Sequence, residues 1–166
     1  MQPLFKILEK PSLHAWIGLM NRKHLTQAEC PVARSLEAVG DWWSLLIVRD
    51  AFFGKRRFGE FLSSLGVARN ILTTRLKKLV AHGILETIPA SDGSAYKEYV
   101  LTEKAKGLYL VLIALRQWGQ GCMTNDGDQE MTLVDRRTRT PIQPLALRSA
   151  DGRELGPEDV ELVAVQ

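Results

Sequence analysis

The chain has few of the residues that most chemistry requires. Two cysteines, Cys30 and Cys122, stand in 166 residues. They are too few and too far apart for a disulfide framework or a cysteine-based zinc site. The three histidines, His14, His24 and His82, have no cysteine or carboxylate at metal-ligand spacing, so no metal is expected. Ser63-Ser64 lacks the glycines of a nucleophile elbow, and Gly54-Lys55 lacks the upstream glycine of a phosphate loop. No catalytic residue and no cofactor are therefore expected, and the chain does not read as an enzyme. Apolar runs of the ~18 residues that span a bilayer are also missing. Glu9, Pro11 and His14 interrupt any signal-peptide core near the N-terminus. A cytoplasmic protein with no membrane partner is the expectation.

What is present is an uneven distribution of charge. The formal net charge is only +3, yet Gly54 to Lys106 holds ten Lys/Arg against five Asp/Glu. From Thr124 onward five Arg face nine acids. A basic middle in a nearly neutral protein is a footprint for a polyanion. A solvated charged face is the bland alternative.

Hydrophobic spacing assigns the elements. Val32, Leu36 and Val39 recur at helical intervals, and Trp42-Trp43-Ser-Leu-Leu-Ile-Val continues to Phe52-Phe53. Gly40-Asp41 separates two helices, with Asp41 placed to cap the second. That second helix is apolar nearly all round and is expected at the centre of the core, ending at Gly54. A short helix over Phe58–Leu65, a turn at Gly66 and a longer helix from about Ala68 to His82, closed by Gly83, make a helix-turn-helix. Two β-like runs, Ile84–Ile88 and Tyr96–Leu101, flank Asp92-Gly93 as a hairpin, the wing. Thr102-Glu-Lys opens a last helix reaching about Gly121. Beyond Thr124, the runs Met131–Val134 and Leu145–Arg148 predict a few short strands. The fold class is mainly α (α+β): a winged helix-turn-helix with a small β-rich C-terminal extension. The expected organisation is an N-terminal extension over 1–19, a winged helix-turn-helix domain over 20–123, and the acidic extension over 124–166. The native start is either Met1 or Met20, with Met20 the preferred reading.

Residues from Cys30 to Cys122 resemble the HxlR-type transcription regulators. The likeness rests on Cys30-Pro31-Val32, Val39-Gly-Asp-Trp-Trp-Ser-Leu-Leu-Ile, Arg57-Phe-Gly-Glu-Phe, Ile71-Leu-Thr-Thr-Arg-Leu-Lys-Lys-Leu, His82-Gly-Ile-Leu, Glu98-Tyr-Val-Leu-Thr and Trp118-Gly, in this order and spacing. The resemblance implies a homodimeric winged helix that binds operator DNA near promoters. It also implies a redox or electrophile sensor at Cys30, since some members use a cysteine at the matching position. Cys30 precedes Pro31 at an expected helix start, where the positive helix end and Arg34 would favour the thiolate. A small inert residue is the competing reading. Three positions depart from the family pattern. Ala68 stands where a capping Ser is usual. Ala95-Tyr96-Lys97 replaces a stretch with Pro and Arg in the wing. Ala105 replaces a Gly.

The helix from Ala68 to His82 has its core stripe at Leu72, Leu76 and Leu79. Its opposite face then presents Asn70, Thr73, Thr74, Lys77 and Lys78, with Arg69 at the start and Arg75 on the flank; Arg69, Asn70, Thr73 and Thr74, at the helix start, are the expected base readers. Lys77, Lys78, Arg56 and Arg57 are the expected phosphate contacts, with Lys97 left to the wing and Arg75 suited to either role. Leu108, Val111, Leu112, Leu115 and Trp118 on the last helix form the expected dimer face. The expected partners are double-stranded DNA, a second copy of the chain, and an inducer that the sequence does not identify. A winged helix that binds protein is the alternative, against which the basic middle argues.

Overall fold

The structure, a computed structural model, describes residues 29–123 and 131–163. The extension over 1–19, Met20, His14 and His24 lie outside the described residues. Two compact units divide between Lys106 and Gly107.

The first unit holds α1 (Pro31–Val39), α2 (Trp42–Phe52), α3 (Phe58–Leu65), α4 (Arg69–Ala81), β1 (Leu85–Pro89), β2 (Lys97–Leu101) and α5 (Glu103–Lys106). The order is the one that hydrophobic spacing predicts. Helix α2 is the central element, packing against α1, α3, α4 and β2. Ile47 and Val48 are fully buried on it, whereas Trp42 at its first turn is 74% exposed. The α1–α2 break has a steric cause. A Cβ at Gly40 would collide with the Leu36 carbonyl oxygen, so the chain can close over α1 only with glycine there. Asp41 then caps α2 as expected. Its carboxylate accepts from the Ser44 amide at 2.9 Å and from the Ser44 hydroxyl at 2.6 Å. The same carboxylate pairs with Arg75 Nε on α4 at 3.1 Å, which ties the start of α2 to α4. Asp41→Ala is expected to lower the unfolding free energy by about 0.5–2 kcal/mol, because both the cap and the α4 tie are lost. Urea denaturation at neutral pH measures it.

Between α3 and α4, Gly66 adopts φ +61°, a left-handed turn that glycine enters without steric cost. Its amide donates to the Leu62 carbonyl at 3.1 Å and closes α3. Strands β1 and β2 pair antiparallel, with Leu85 opposite Leu101 and Pro89 opposite Lys97. The connection is closed by the Ala90 amide donating to Tyr96 at 3.1 Å, and Gly93 turns at φ +74°. Four helices followed by a hairpin packed on α4 make a winged helix-turn-helix.

The second unit begins with α6 (Leu108–Cys122). The single last helix expected from Thr102 is therefore two helices, separated at Gly107. The tail runs Met131–Val134 and Leu145–Arg148 do carry β character, but as two isolated antiparallel bridges, Val134–Pro141 and Arg148–Glu154. A 3-10 turn follows at Pro157–Asp159. The tail is pinned to α6 by side chains. Gln117 exchanges both its amide bonds with the Leu145 backbone at 3.0 and 2.8 Å, and Arg116 and Gln120 donate to the Met131 carbonyl.

Candidate nucleic-acid interface

The candidate surface is built on α4. Leu72, Leu76 and Leu79 are buried, one helical face apart, and fix which way the rest of α4 points. Asn70, Thr74 and Lys77 are exposed opposite them, Thr73 is exposed on the flank, Arg69 is exposed in the first turn, and Lys78 is half-buried. Four polar side chains in the first turns of a helix, with a lysine one turn on, match the layout of a groove-reading helix.

Local chemistry tunes these groups. The Arg69 guanidinium lies 5.8 Å from the Phe58 ring centroid, an attraction of cation to ring face that orients it at the α3–α4 junction. The Thr73 and Thr74 hydroxyls donate to the Arg69 and Asn70 carbonyls, at 2.8 and 2.9 Å. With their protons used in this way, both threonines offer outward only a methyl group and oxygen lone pairs. That suits contact with a thymine methyl or with a base-edge donor. Helix α4 has no side-chain cap, consistent with Ala68 at its N-cap. At the other end Lys104 Nζ donates to the His82 carbonyl at 2.8 Å and covers the negative helix terminus.

The arginines expected on phosphate or base are already engaged. Arg75 is committed to Asp41. Arg57 pairs with Asp92 of the hairpin turn at 2.7 Å and with Glu98 of β2 at 3.5 Å. Arg56 lies 3.8 Å from the other Glu98 oxygen. Lys97 is exposed at the start of β2, beside an exposed Tyr96.

Glu98 was not singled out from the sequence, because one acid on a short strand reads as outward-facing. It is only 2% exposed. One oxygen accepts from the Ser91 amide at 3.1 Å and the Ser91 hydroxyl at 2.8 Å. These two bonds, helped by Arg57, hold the Glu98 carboxyl below the usual glutamate range despite desolvation. Asp92 is lowered by its bond to Arg57, then by Ser94; Glu60 by the Arg56 and Arg57 amides it accepts. A carboxyl whose folded pKa is depressed contributes stability above its unfolded pKa and loses it as pH falls through the folded value. The advantage of wild type over Glu98→Gln should therefore be complete above about pH 5 and shrink as pH drops below about 4. Urea midpoints of both proteins at several pH values test this.

The profile of the HxlR-like helix-turn-helix family matches residues 38–126, which span α2 through α6 and the whole helix-turn-helix and wing. The chain belongs to the HxlR-like helix-turn-helix family. It is 46% identical over 88 residues to an uncharacterised HTH-type transcriptional regulator of Mycobacterium tuberculosis. That match covers 53% of this chain and 56% of the relative, so the chain spans about half the length of this relative. The solved structure of PA1607 is 47% identical with a TM-score of 0.78, over 83% of this chain and 96% of its own. The redox regulator HypR in its reduced form is 28% identical, TM-score 0.51, over 55% of this chain and 92% of that one. The first unit thus has the winged helix-turn-helix architecture expected of an HxlR-like chain. No described helix is long and apolar enough to cross a membrane, and no described cluster of His, Cys, Asp and Glu could hold a metal ion.

Proposed function

We propose that this regulator binds duplex DNA sequence-specifically as a homodimer on an inverted-repeat operator. The observation that carries the reading is the exposed N-terminal part of α4, where Asn70 and Thr74 stand opposite the buried leucines, Thr73 stands on the flank and Arg69 is exposed in the first turn. A helix of this size fits a major groove ~12 Å wide. Asn70 and Arg69 offer paired donors and acceptors to adenine and guanine edges, while Lys77, Lys78 and Lys97 meet phosphates. Arg56 and Arg57 join them only when freed from their carboxylates.

The dimer is assigned to α6. Val111, Leu115 and Trp118 are exposed on it, and Leu108 and Leu112 are half-buried. A 15-residue helix with no fully buried residue leaves an apolar stripe for a second copy to cover. Selection from random duplexes tests the whole reading. It should return an inverted repeat with half-sites ~34 Å apart. Recovery of unrelated sequences, or of a single half-site bound by a monomer, would contradict it. The protein-binding alternative predicts no enrichment at all.

Cys30 is proposed as a redox or electrophile sensor, a second reading supported by the likeness to HypR. It sits half-buried at the N-cap of α1, ahead of Pro31. Peroxide treatment should change operator affinity in the wild type and not in Cys30→Ser. Equal affinity of reduced and treated wild-type protein removes Cys30 from the account. The cleft of about 160 Å³ between α6 and the tail, lined by Ile113, Arg116 and Gln117 among others, is small against the ~300–1,000 Å³ usual for ligand sites. It identifies no inducer.

A further inference from the structure

A continuous set of polar contacts joins three separate stretches of the first unit. The Tyr99 amide donates to the Arg56 carbonyl at 2.8 Å, which fastens β2 to the chain entering α3. Arg57 reaches across to Asp92 and Glu98, and Glu98 takes both donors of Ser91. The two carboxylates differ in kind. Glu98 is buried, and its second oxygen has no hydrogen-bond donor, only Arg56 at 3.8 Å. An ionised carboxylate in that setting is tolerated only while its cations and donors stay in place, so it dictates where they sit. Asp92 has half its side chain in solvent and stabilises the fold little through its exposed pair. It nevertheless makes the shortest contact to Arg57.

We propose that Glu98 is a positioning residue that sets the wing on the helix-turn-helix, and that Asp92 stands in for a DNA phosphate by holding Arg57 in the free protein. The inference rests on the DNA-binding reading for its second half only. Two carboxylates share one guanidinium, and they have opposite effects on binding. Glu98 favours it, because it orders the hairpin through Ser91 and keeps Arg57 at the wing. Asp92 opposes it, because it occupies the cation and adds a negative charge at the hairpin turn. On duplex DNA the phosphate replaces Asp92 as the partner of Arg57, while Glu98 stays in place. Charge is conserved in this exchange: one anion leaves the guanidinium and another takes its position.

The test compares Glu98→Gln and Asp92→Asn in the full chain, with and without DNA. Without DNA, amide hydrogen exchange should accelerate about tenfold or more over residues 90–101 in Glu98→Gln and stay near wild type in Asp92→Asn. Equal acceleration in both variants, or in neither, overturns the positioning role whatever the protein binds. With the selected operator duplex, Asp92→Asn should bind about three- to tenfold more tightly. Its log-log salt slope should steepen, because no Asp92 carboxylate is freed to take up a cation when Arg57 moves to the phosphate. Glu98→Gln should bind more weakly and lose the wing-side part of its footprint while keeping the part contacted by α4. If Asp92→Asn binds no more tightly and its slope is unchanged, Asp92 does not compete for Arg57. A plain structural role for the cluster would weaken both variants in step. If Glu98→Gln does not fold, the exposed Asp92→Asn still decides the competition. Absence of any sequence preference in the wild type overturns the DNA-binding reading instead, and the exchange data then decide Glu98 alone.

Discussion

Leu76→Ala should destabilise the folded protein by about 2–5 kcal/mol, the range for removing a buried leucine side chain. Leu76 is 1% exposed on the inner face of α4, between Leu72 and Leu79. That helix packs against α1, α2, α3 and β1, so its inner face lies where four elements meet. A cavity there cannot be closed by moving a single neighbour, which places the cost toward the upper part of the range. Urea denaturation followed by circular dichroism measures it. Because the same helix carries the exposed polar face, operator affinity should fall as well, through the folded fraction and through loss of a fixed orientation for Asn70 and Lys77. A loss below about 1 kcal/mol would mean that α4 is not seated in the core as described.

Asn70→Ala and Lys77→Ala are expected to fail in different ways. Asn70 lies in the first turn of α4 and is exposed, and the proposed reading sets it against a base edge. Its loss should cost about 1–3 kcal/mol against the preferred base and relax specificity at one position of each half-site. In a dimer the penalty applies twice. Lys77 lies two turns on and is exposed. Its removal should weaken binding to every sequence alike and lower the salt slope by about 1 per subunit. Affinities measured on the selected operator and on single-base variants separate the two. If Lys77→Ala changes the sequence preference and Asn70→Ala does not, the assignment of reader and anchor is reversed.

Much of the fold was legible because glycine and periodicity marked it locally. Gly40, Gly66 and Gly93 each stand at a break or turn that the backbone needs, and the leucines of α4 recur at intervals only a helix can place on one face. The Asp41 cap was legible for the same reason: its donor is three residues away. Pairings between distant residues were not. Arg57 and Glu98 are 41 residues apart, and nothing near either one announces the other. Arg56, Arg57 and Arg75 therefore read as free cations from sequence, and the structure gives each a carboxylate. The separation of α5 from α6 was missed because Gly107 lies among helix-compatible neighbours. The tail was read as short strands because its apolar runs suit strands; the β pairing among its described residues is confined to single bridges.

The central claim is that the basic first unit holds duplex DNA through α4 and reads its sequence. The most direct test titrates the purified protein with DNA from its own upstream region across a salt series, alongside a scrambled duplex of equal length. Binding to the upstream fragment should be tight and weaken steeply with salt, with a log-log slope of about 0.9 per phosphate contact, and binding to the scrambled duplex should be much weaker. Equal affinity for both duplexes, or binding insensitive to salt, would contradict the claim.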